Sequence, residues 1–591
     1  MRFIANKKST LFLFRFFSFF FLIFFHHALL AQKFSVKSFN ESRETAKTNW
    51  AVTATAFKVV GEDDVNHIKI HWELLEDIDL YKIYRDGKFI GQSTGDVYDD
   101  YDLEVEKTYI YYVEGYKEGR KVATTTSDQA SPFRLTGNKS IYNNYNGKND
   151  FKFSTPKGIK INDQYYRYSI LDTTLYTGSE AEKKPVKGKA IYELVSPNGI
   201  NQWSQGRQLA FYPHPVKFEG VSVVYNKKTQ KAVIVAHYED EEGYVAAKLY
   251  LAQVTPGGDL KETFADRPMG YESRDQSIFI DDDQTAYILS ATNMNKDVNI
   301  YRLDEKWNRP VKLINTVFKG QHRETPYIVK NEGVYYFFSS KASGWYPSQA
   351  MYASASNLEG VWTPLKELGN NSTFGSQANS VSTFGSERIT YGMYSYRWGA
   401  QYLHKESTGN FPRLLFVNFN KGYASMEYYS KLELYEKHGL IPIQSGRNLT
   451  LGKSVKTTST DPEYAEASVV TDGADSHSSP FFKGESVPYS LTIDMEKEAY
   501  ITEINLATRL TGGSETAYKY TLEASSDGKN FKTINNGMDN WKVGFLILKI
   551  EDENPYRYLR LNVHDIVNVH NEQKAEWADG IFEITAFGVY K

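Results

Sequence analysis

One short pattern recurs five times between residues 158 and 391 and limits the folds open to this chain. An apolar strand runs into a polar turn, and a second apolar or aromatic strand follows. Val221-Ser222-Val223-Val224-Tyr225-Asn226 precedes Ala232-Val233-Ile234-Val235, and Ser277-Ile278-Phe279-Ile280-Asp281-Asp282-Asp283 precedes Ala286-Tyr287-Ile288-Leu289. Tyr327-Ile328-Val329-Lys330-Asn331 precedes Val334-Tyr335-Tyr336-Phe337-Phe338, and weaker copies begin at Gly158 and Ser380. With Tyr166, Val233, Tyr287, Tyr335 and Ile389 as markers, the spacings are 67, 54, 48 and 54 residues. A period near 50 with several strands per unit predicts a β-propeller, and five units predict five blades.

The rest of the chain also reads as β-structure. Between 49 and 135 short period-two strands alternate with turns, such as Ile68-Lys69-Ile70-His71-Trp72 and the Tyr81–Ile90 hairpin turning at Arg85-Asp86-Gly87. The pattern predicts a β-sandwich, resembles a fibronectin type III domain and carries no catalytic constellation, so a spacer role is expected. From 445 to 591 the sequence holds Val470-Thr471-Asp472-Gly473, Tyr518-Lys519-Tyr520-Thr521-Leu522-Glu523, Tyr556-Arg557-Tyr558-Leu559-Arg560-Leu561 and Ile581-Phe582-Glu583-Ile584. This block resembles the F5/8 type C (discoidin) domain, a β-sandwich jelly roll used by bacterial enzymes as a family 32 carbohydrate-binding module. The expected fold class is all-β: an N-terminal sandwich (49–135), a five-bladed propeller (140–440) and a C-terminal jelly roll (445–591).

Arg2, Lys7 and Lys8 precede an apolar run from Leu11 to Phe25, and Ala28-Leu29-Leu30-Ala31 ends in a small residue. The expectation is a signal peptide over 1–31, a linker over 32–48, an exported protein and no membrane span after cleavage. The chain lacks cysteine, which excludes disulfides, thiol nucleophiles and Cys-ligated zinc. A net charge of -3 provides no basic field, so nucleic acid is not an expected partner. The expected partner is a polysaccharide or glycan, and the chain is expected to act as a monomer.

The candidate chemistry lies in the register of the repeats. Glu219 stands seven residues before Asn226, Asp275 six before Asp281, Glu324 seven before Asn331 and Gln377 seven before Phe384. Four units thus place a carboxylate or carboxamide at one equivalent position. If the first strand of each blade is innermost, the four converge near the channel mouth. Converging carboxylates raise one another's pKa values, which suits a general acid at neutral pH. Each also has a structural reading: Asp275 and Glu324 follow Arg274 and Arg323 and could form simple ion pairs.

Ser273-Arg274-Asp275, His322-Arg323-Glu324-Thr325-Pro326-Tyr327, Gly344-Trp345-Tyr346-Pro347-Ser348-Gln349-Ala350 and Thr373-Phe374-Gly375-Ser376-Gln377 resemble glycoside hydrolase family 43, in particular its exo-β-1,3-galactanase branch. The resemblance implies an inverting glycosidase with a general acid opposite a base-activated water. By this resemblance Glu324 is the general acid, Asp275 orients it or binds sugar hydroxyls, and Glu219 binds substrate or sets its pKa. Most of the family carries a basic Asp in the first blade. Phe153-Ser154-Thr155-Pro156 has none, and the galactanase branch is thought to use the Gln matched by Gln377 to position water. The branch's His-Gly-Gly start is also absent, and Tyr396-Arg397-Trp398 stands in place of Asp-Arg-Trp. Tyr244, Trp345, Tyr346 and Trp398 are candidate sugar-stacking residues.

These departures keep open a non-catalytic glycan-binding protein with a degenerate propeller, or another family 43 specificity such as arabinofuranosidase. No cofactor is expected for catalysis: His214 and His237 lack further ligands at suitable spacing, and Asp281-Asp282-Asp283 reads as a solvated turn. In the C-terminal block, Asp472 and Glu583 match positions that hold a structural calcium in similar domains. His477, Trp541 and Trp577 are further candidates for glycan contact.

Overall fold

The computed structural model describes residues 50–146, 148–149, 159–177, 184–197, 202–398 and 411–591. The expected leader, the linker and the Phe153–Pro156 stretch lie outside the described residues. Within them the protein is all-β, and no helix is long and apolar enough to cross a membrane.

Five four-stranded antiparallel sheets follow one another along the chain, beginning at Ile159–Ile161, Lys217–Asn226, Gln276–Ile280, Arg323–Asn331 and Gln377–Phe384. They are the blades of the propeller, numbered one to five here, and within each sheet the strands keep chain order. The second strands, such as Lys231–Glu239 and Val334–Lys341, are buried almost throughout because blades pack on both of their faces. That double burial is why they read as apolar runs instead of alternating. The fourth strands, such as Leu260–Asp266 and Pro310–Val317, are half exposed.

First strands of neighbouring blades touch, which makes them the innermost strands. Hydrogen bonds join them around the axis. Gln276 Nε2 donates to Gly220 O (2.9 Å), Ser277 Oγ to Pro326 O (2.6 Å) and Thr325 Oγ1 to Ala378 O (2.7 Å).

The propeller span expected from sequence, 140–440, is wider than the blades, which end at Tyr423–Glu427. Lys139–Asn143, Lys431–Tyr435 and Gly439–Gln444 join the N-terminal sheet, whose strand order is Lys148–Asn149, Lys139–Asn143, Lys431–Tyr435, Gly439–Gln444, Val52–Val59, His67–Trp72, Val97–Asp100. Gly439–Gln444 runs parallel to Val52–Val59 with Lys58 opposite Ile443. Ile441 and Ile443, alternating along the strand, fill the same core as Trp72, Tyr81, Tyr111 and Val113 from the two sheets of the N-terminal sandwich. The propeller is therefore inserted between strands of this sandwich.

The C-terminal domain is a jelly roll built on the long strand Tyr489–Thr508, which pairs with Val455–Thr457, Phe545–Lys549, Tyr556–Asn568 and Ile581–Tyr590. Its first residues alternate strictly between buried and half-buried, as expected for a sheet with one face on a core. That core holds Leu491, Ile493, Tyr518, Leu522, Leu561 and Ile584.

Candidate active site

Glu219, Asp275, Glu324 and Gln377 stand at the same end of the innermost strands of blades two to five. The register explains the single short spacing. In blade two the ladder steps from Glu219–His237 to Ser222–Val235, in blade four from Glu324–Ser340 to Tyr327–Phe338, and in blade five from Ala378–Ser395 to Ser380–Tyr394. Each step contains one extra residue on the inner strand, a β-bulge. Blade three pairs continuously from Gln276–Ser290 to Ile280–Ala286. The bulge residue is the seventh residue that blade three lacks. Bulges turn a strand end and re-aim its side chains, and they recur beside active sites.

The bulge of blade four places Thr325 at φ 49°, a left-handed conformation that a β-branched residue seldom adopts. Three bonds hold it there. Its amide donates to Asp275 Oδ2 (3.0 Å), its hydroxyl donates to Ala378 O (2.7 Å), and the Ser340 hydroxyl lies 3.2 Å from the Thr325 oxygen. The bend thus ties blades three, four and five together directly beside Glu324.

Glu324 accepts Asn295 Nδ2 on one oxygen (2.8 Å) and Gln377 Nε2 on the other (3.3 Å). Burial, with the Asp275 charge second, pushes its carboxyl up to about 7. Burial also pushes Asp275 up, and the amide bond from Thr325 offsets part of that. Neither carboxylate is neutralised by the arginine beside it. Arg274 pairs with Glu272 (3.2 Å), and Arg323 turns away to Ser339, bonding its hydroxyl and its carbonyl at 2.9 Å each. The simple ion-pair reading of both positions is thereby excluded. Gln377 also donates to Ser340 Oγ (3.1 Å) and accepts Trp398 Nε1 on its carbonyl oxygen (2.9 Å), so its amide orientation is fixed on both sides.

Glu219 is more exposed. Tyr244 donates its hydroxyl to Glu219 (2.6 Å), and the buried His237 ring lies 3.9 Å from its other oxygen. His237 is itself held by Glu239 (2.7 Å), which also accepts the Ala247 amide (3.1 Å). This is a ring-orienting pair, and among the described residues no group of three or more His, Asp or Glu side chains is placed to hold a metal ion. Asp281 and Asp282 serve a turn, each within 2.8 Å of Lys330 in the neighbouring blade.

Three of the four aromatic candidates line this mouth. The Trp345 ring, 58% exposed, meets Trp398 edge-on at 5.2 Å. Tyr396, which stands where the resemblance called for an acid, stacks on Trp398 at 5.1 Å. Tyr244 shields Glu219. Tyr346 does not belong with them. It points to the C-terminal domain and packs on His570 at 5.0 Å. Asn295, Ser340, Thr325 and the His237–Glu239 pair escaped the sequence reading. Asn295 closes a run of three left-handed residues, Asn293 to Asn295, and only the Asn-rich turn composition hinted at it.

In the C-terminal domain Asp472 Oδ1 accepts the Ala474 amide and Glu583 Oε2 the Gly473 amide, both at 2.9 Å. Burial pushes Asp472 up to about 7. Burial also pushes Glu583 well above its ordinary value, with the charges of Asp472 and Asp475 adding to it. Trp541 lies under the Lys519 ammonium at 3.8 Å, Trp577 is exposed, and His477 donates its amide to Gln349 of the propeller.

Residues 454–578 match the F5/8 type C domain family. No curated protein matches the chain. Among solved structures, it is similar to an exo-β-1,3-galactanase from Clostridium thermocellum at 20% identity and a TM-score of 0.43, over 72% of this chain and 99% of that one. It is also similar to an exo-β-1,3-galactanase from Phanerochaete chrysosporium with β-1,3-galactotriose, at 19% identity and a TM-score of 0.45, over 73% and 94%.

Because Asp275 supplies part of the field on Glu324, Asp275→Asn is expected to move the alkaline limb of any pH–rate profile to lower pH. Burial, the larger cause, keeps the limb above the ordinary carboxylate range. An unmoved limb in the variant's kcat/KM profile would assign the limb to another group.

Proposed function

We propose that the protein is an exported glycoside hydrolase that removes terminal galactose from β-1,3-galactan with inversion. The observation that carries this reading is Glu324: a carboxyl pushed up to about 7, at the mouth of a propeller, hydrogen-bonded to a fixed carboxamide. Such a group is still about half protonated at neutral pH and can protonate the leaving glycosidic oxygen. Gln377 orients the attacking water, either as the amide or as its imidic tautomer, since a neutral amide is a poor base. Asp275 and Glu219 hold sugar hydroxyls and set the field on the acid. Trp345, Trp398 and Tyr244 offer ring faces to the pyranose C–H surface. The motifs of blades three to five support the galactanase branch over other specificities.

The test is product release from β-1,3-galactan. Galactose appearing first as the α-anomer by proton NMR supports an inverting exo-enzyme. Polymer binding without any product would favour a glycan-binding protein, and release of arabinose from an arabinan would favour the other specificity.

In the C-terminal domain, Asp472 and Glu583 are the carboxylates that would hold a structural calcium. They are buried; Asp472 keeps Oδ2 beyond its amide bond, and Glu583 Oε1 carries only a 3.3 Å bond from the Thr585 hydroxyl. Two side chains are fewer than calcium requires, so backbone oxygens and water would complete the shell. Chelation is expected to lower Tm by several degrees, with recovery on adding calcium but not magnesium. An unchanged Tm would remove calcium from this site.

A further inference from the structure

A carbohydrate-binding module can act as a mere tether, yet this C-terminal domain is packed against the two propeller segments that precede and carry the site. The first is the loop 342–349 of blade four, which bears Trp345. Next to Trp345, the Tyr346 ring enters an apolar cluster of the C-terminal domain formed by Leu510, Ala517, Val543 and Val569, with Trp541 beside it. It lies against His570, whose Nε2 is 2.6 Å from Glu515 Oε2, so the ring that receives Tyr346 is itself fixed. The base of the loop is held from the same side, where the His477 amide donates to Gln349 Oε1 (2.9 Å).

The second segment, 370–376, leads directly into Gln377. Asn371 donates its side-chain amide to Thr508 O and its backbone amide to Asp475 O, both at 2.8 Å. Phe374 meets Phe545 edge-on at 5.3 Å. A Cβ on Gly544 would stand 2.9 Å from Ser372 Cβ, so the two surfaces are in direct contact. The segments also brace one another, since Thr373 Oγ1 donates to Ser348 O (2.6 Å) and accepts the Ala350 amide (2.9 Å).

We propose that the C-terminal domain is a structural wall of the active site: through Tyr346 it holds Trp345 across from Trp398, and through the docked 370–376 segment it fixes Gln377. Tyr346, His570 and Asn371 are positioning residues, acting through Trp345 and Gln377. The proposal rests on the reading of this mouth as a glycosidic site. Placement errors of about 1 Å at a positioning group cost about a hundredfold in rate.

The test uses the full chain and β-1,3-galactobiose, a substrate chosen to be short, so that polymer tethering cannot enter. Tyr346→Ala is expected to raise KM by about ten- to a hundredfold, with Tm near that of the parent, while Tyr346→Phe keeps the ring packing and the parent's KM. His570→Ala, made on the other side of the contact, should reproduce the Tyr346→Ala effect. Asn371→Ala should instead lower kcat and move the alkaline limb upward, because a displaced Gln377 no longer donates to ionised Glu324. Hydrogen exchange at 342–349 should rise in Tyr346→Ala and His570→Ala whether or not the protein hydrolyses this sugar. A parent KM with unchanged exchange in both variants would overturn the proposal and leave the domain a tether. If the parent cleaves no galactoside, the catalytic reading fails, and the exchange measurement alone decides the docking.

Discussion

Glu324→Gln is expected to abolish hydrolysis of β-1,3-galactan, lowering kcat/KM by about 10²–10⁴-fold while polymer binding persists. The amide keeps the shape of the side chain, and its oxygen can still accept from Asn295, but it has no proton to give the leaving oxygen. The same substitution should stabilise the fold above neutrality. Burial and the Asp275 charge raise the folded carboxyl from 4.5 to about 7, so the folded state holds this proton more tightly than the unfolded chain does. Stability is then fully present below pH 4.5 and declines as pH rises through 7. Gln carries no such dependence, so the variant's Tm should exceed the parent's at pH 8 and equal it at pH 4. Activity comparable to the parent's would remove Glu324 from the acid role. Equal Tm values at both pH values would mean that its carboxyl is not raised.

Gln377→Ala is expected to lower kcat by about 10²–10³-fold, the usual cost of removing one preorganised polar group at a reacting centre. The physical reason is that Gln377 is held at both ends, by Trp398 Nε1 on its oxygen and by Glu324 and Ser340 on its nitrogen. Removing it frees the Trp398 indole and takes a donor from Glu324. Gln377→Glu tests the electrostatics separately. A second carboxylate beside Glu324 replaces a donor by a like charge, so the pair shares a proton and the alkaline limb should move above 7. If Gln377→Ala retained the parent's kcat, the orientation of water would have to come from another group.

How these residues come together was partly legible in the sequence. The repeat of a polar turn between two apolar strands follows from burial of each second strand on both faces, and it identified the blades. The shared position of Glu219, Asp275, Glu324 and Gln377 was readable as a count back from the turn. The count of six in blade three against seven elsewhere is the absence of a bulge in that blade. A bulge leaves no residue signature because it is set by pairing with the next strand. Tyr346 shows the opposite failure. Its neighbour Trp345 faces the mouth, and the two rings look equivalent in a Gly-Trp-Tyr-Pro string, but only the position of the C-terminal domain decides which side each one serves.

The strands at 431–444 show the same limit at the scale of domains. They continue the chain directly after blade five, yet Ile441 and Ile443 complete the sandwich begun some 380 residues earlier, where Val52–Val59 offers an unpaired edge. By itself the sequence determined what depends on local periodicity and composition: an all-β chain, repeated blades, a C-terminal jelly roll and a ring of polar groups at equivalent strand ends. Tertiary structure decided what depends on contacts between segments far apart in the chain. It set the raised carboxyl of Glu324, the fixed amide of Gln377 and the docking of Tyr346, because burial, field and packing come from neighbours that the local sequence does not name.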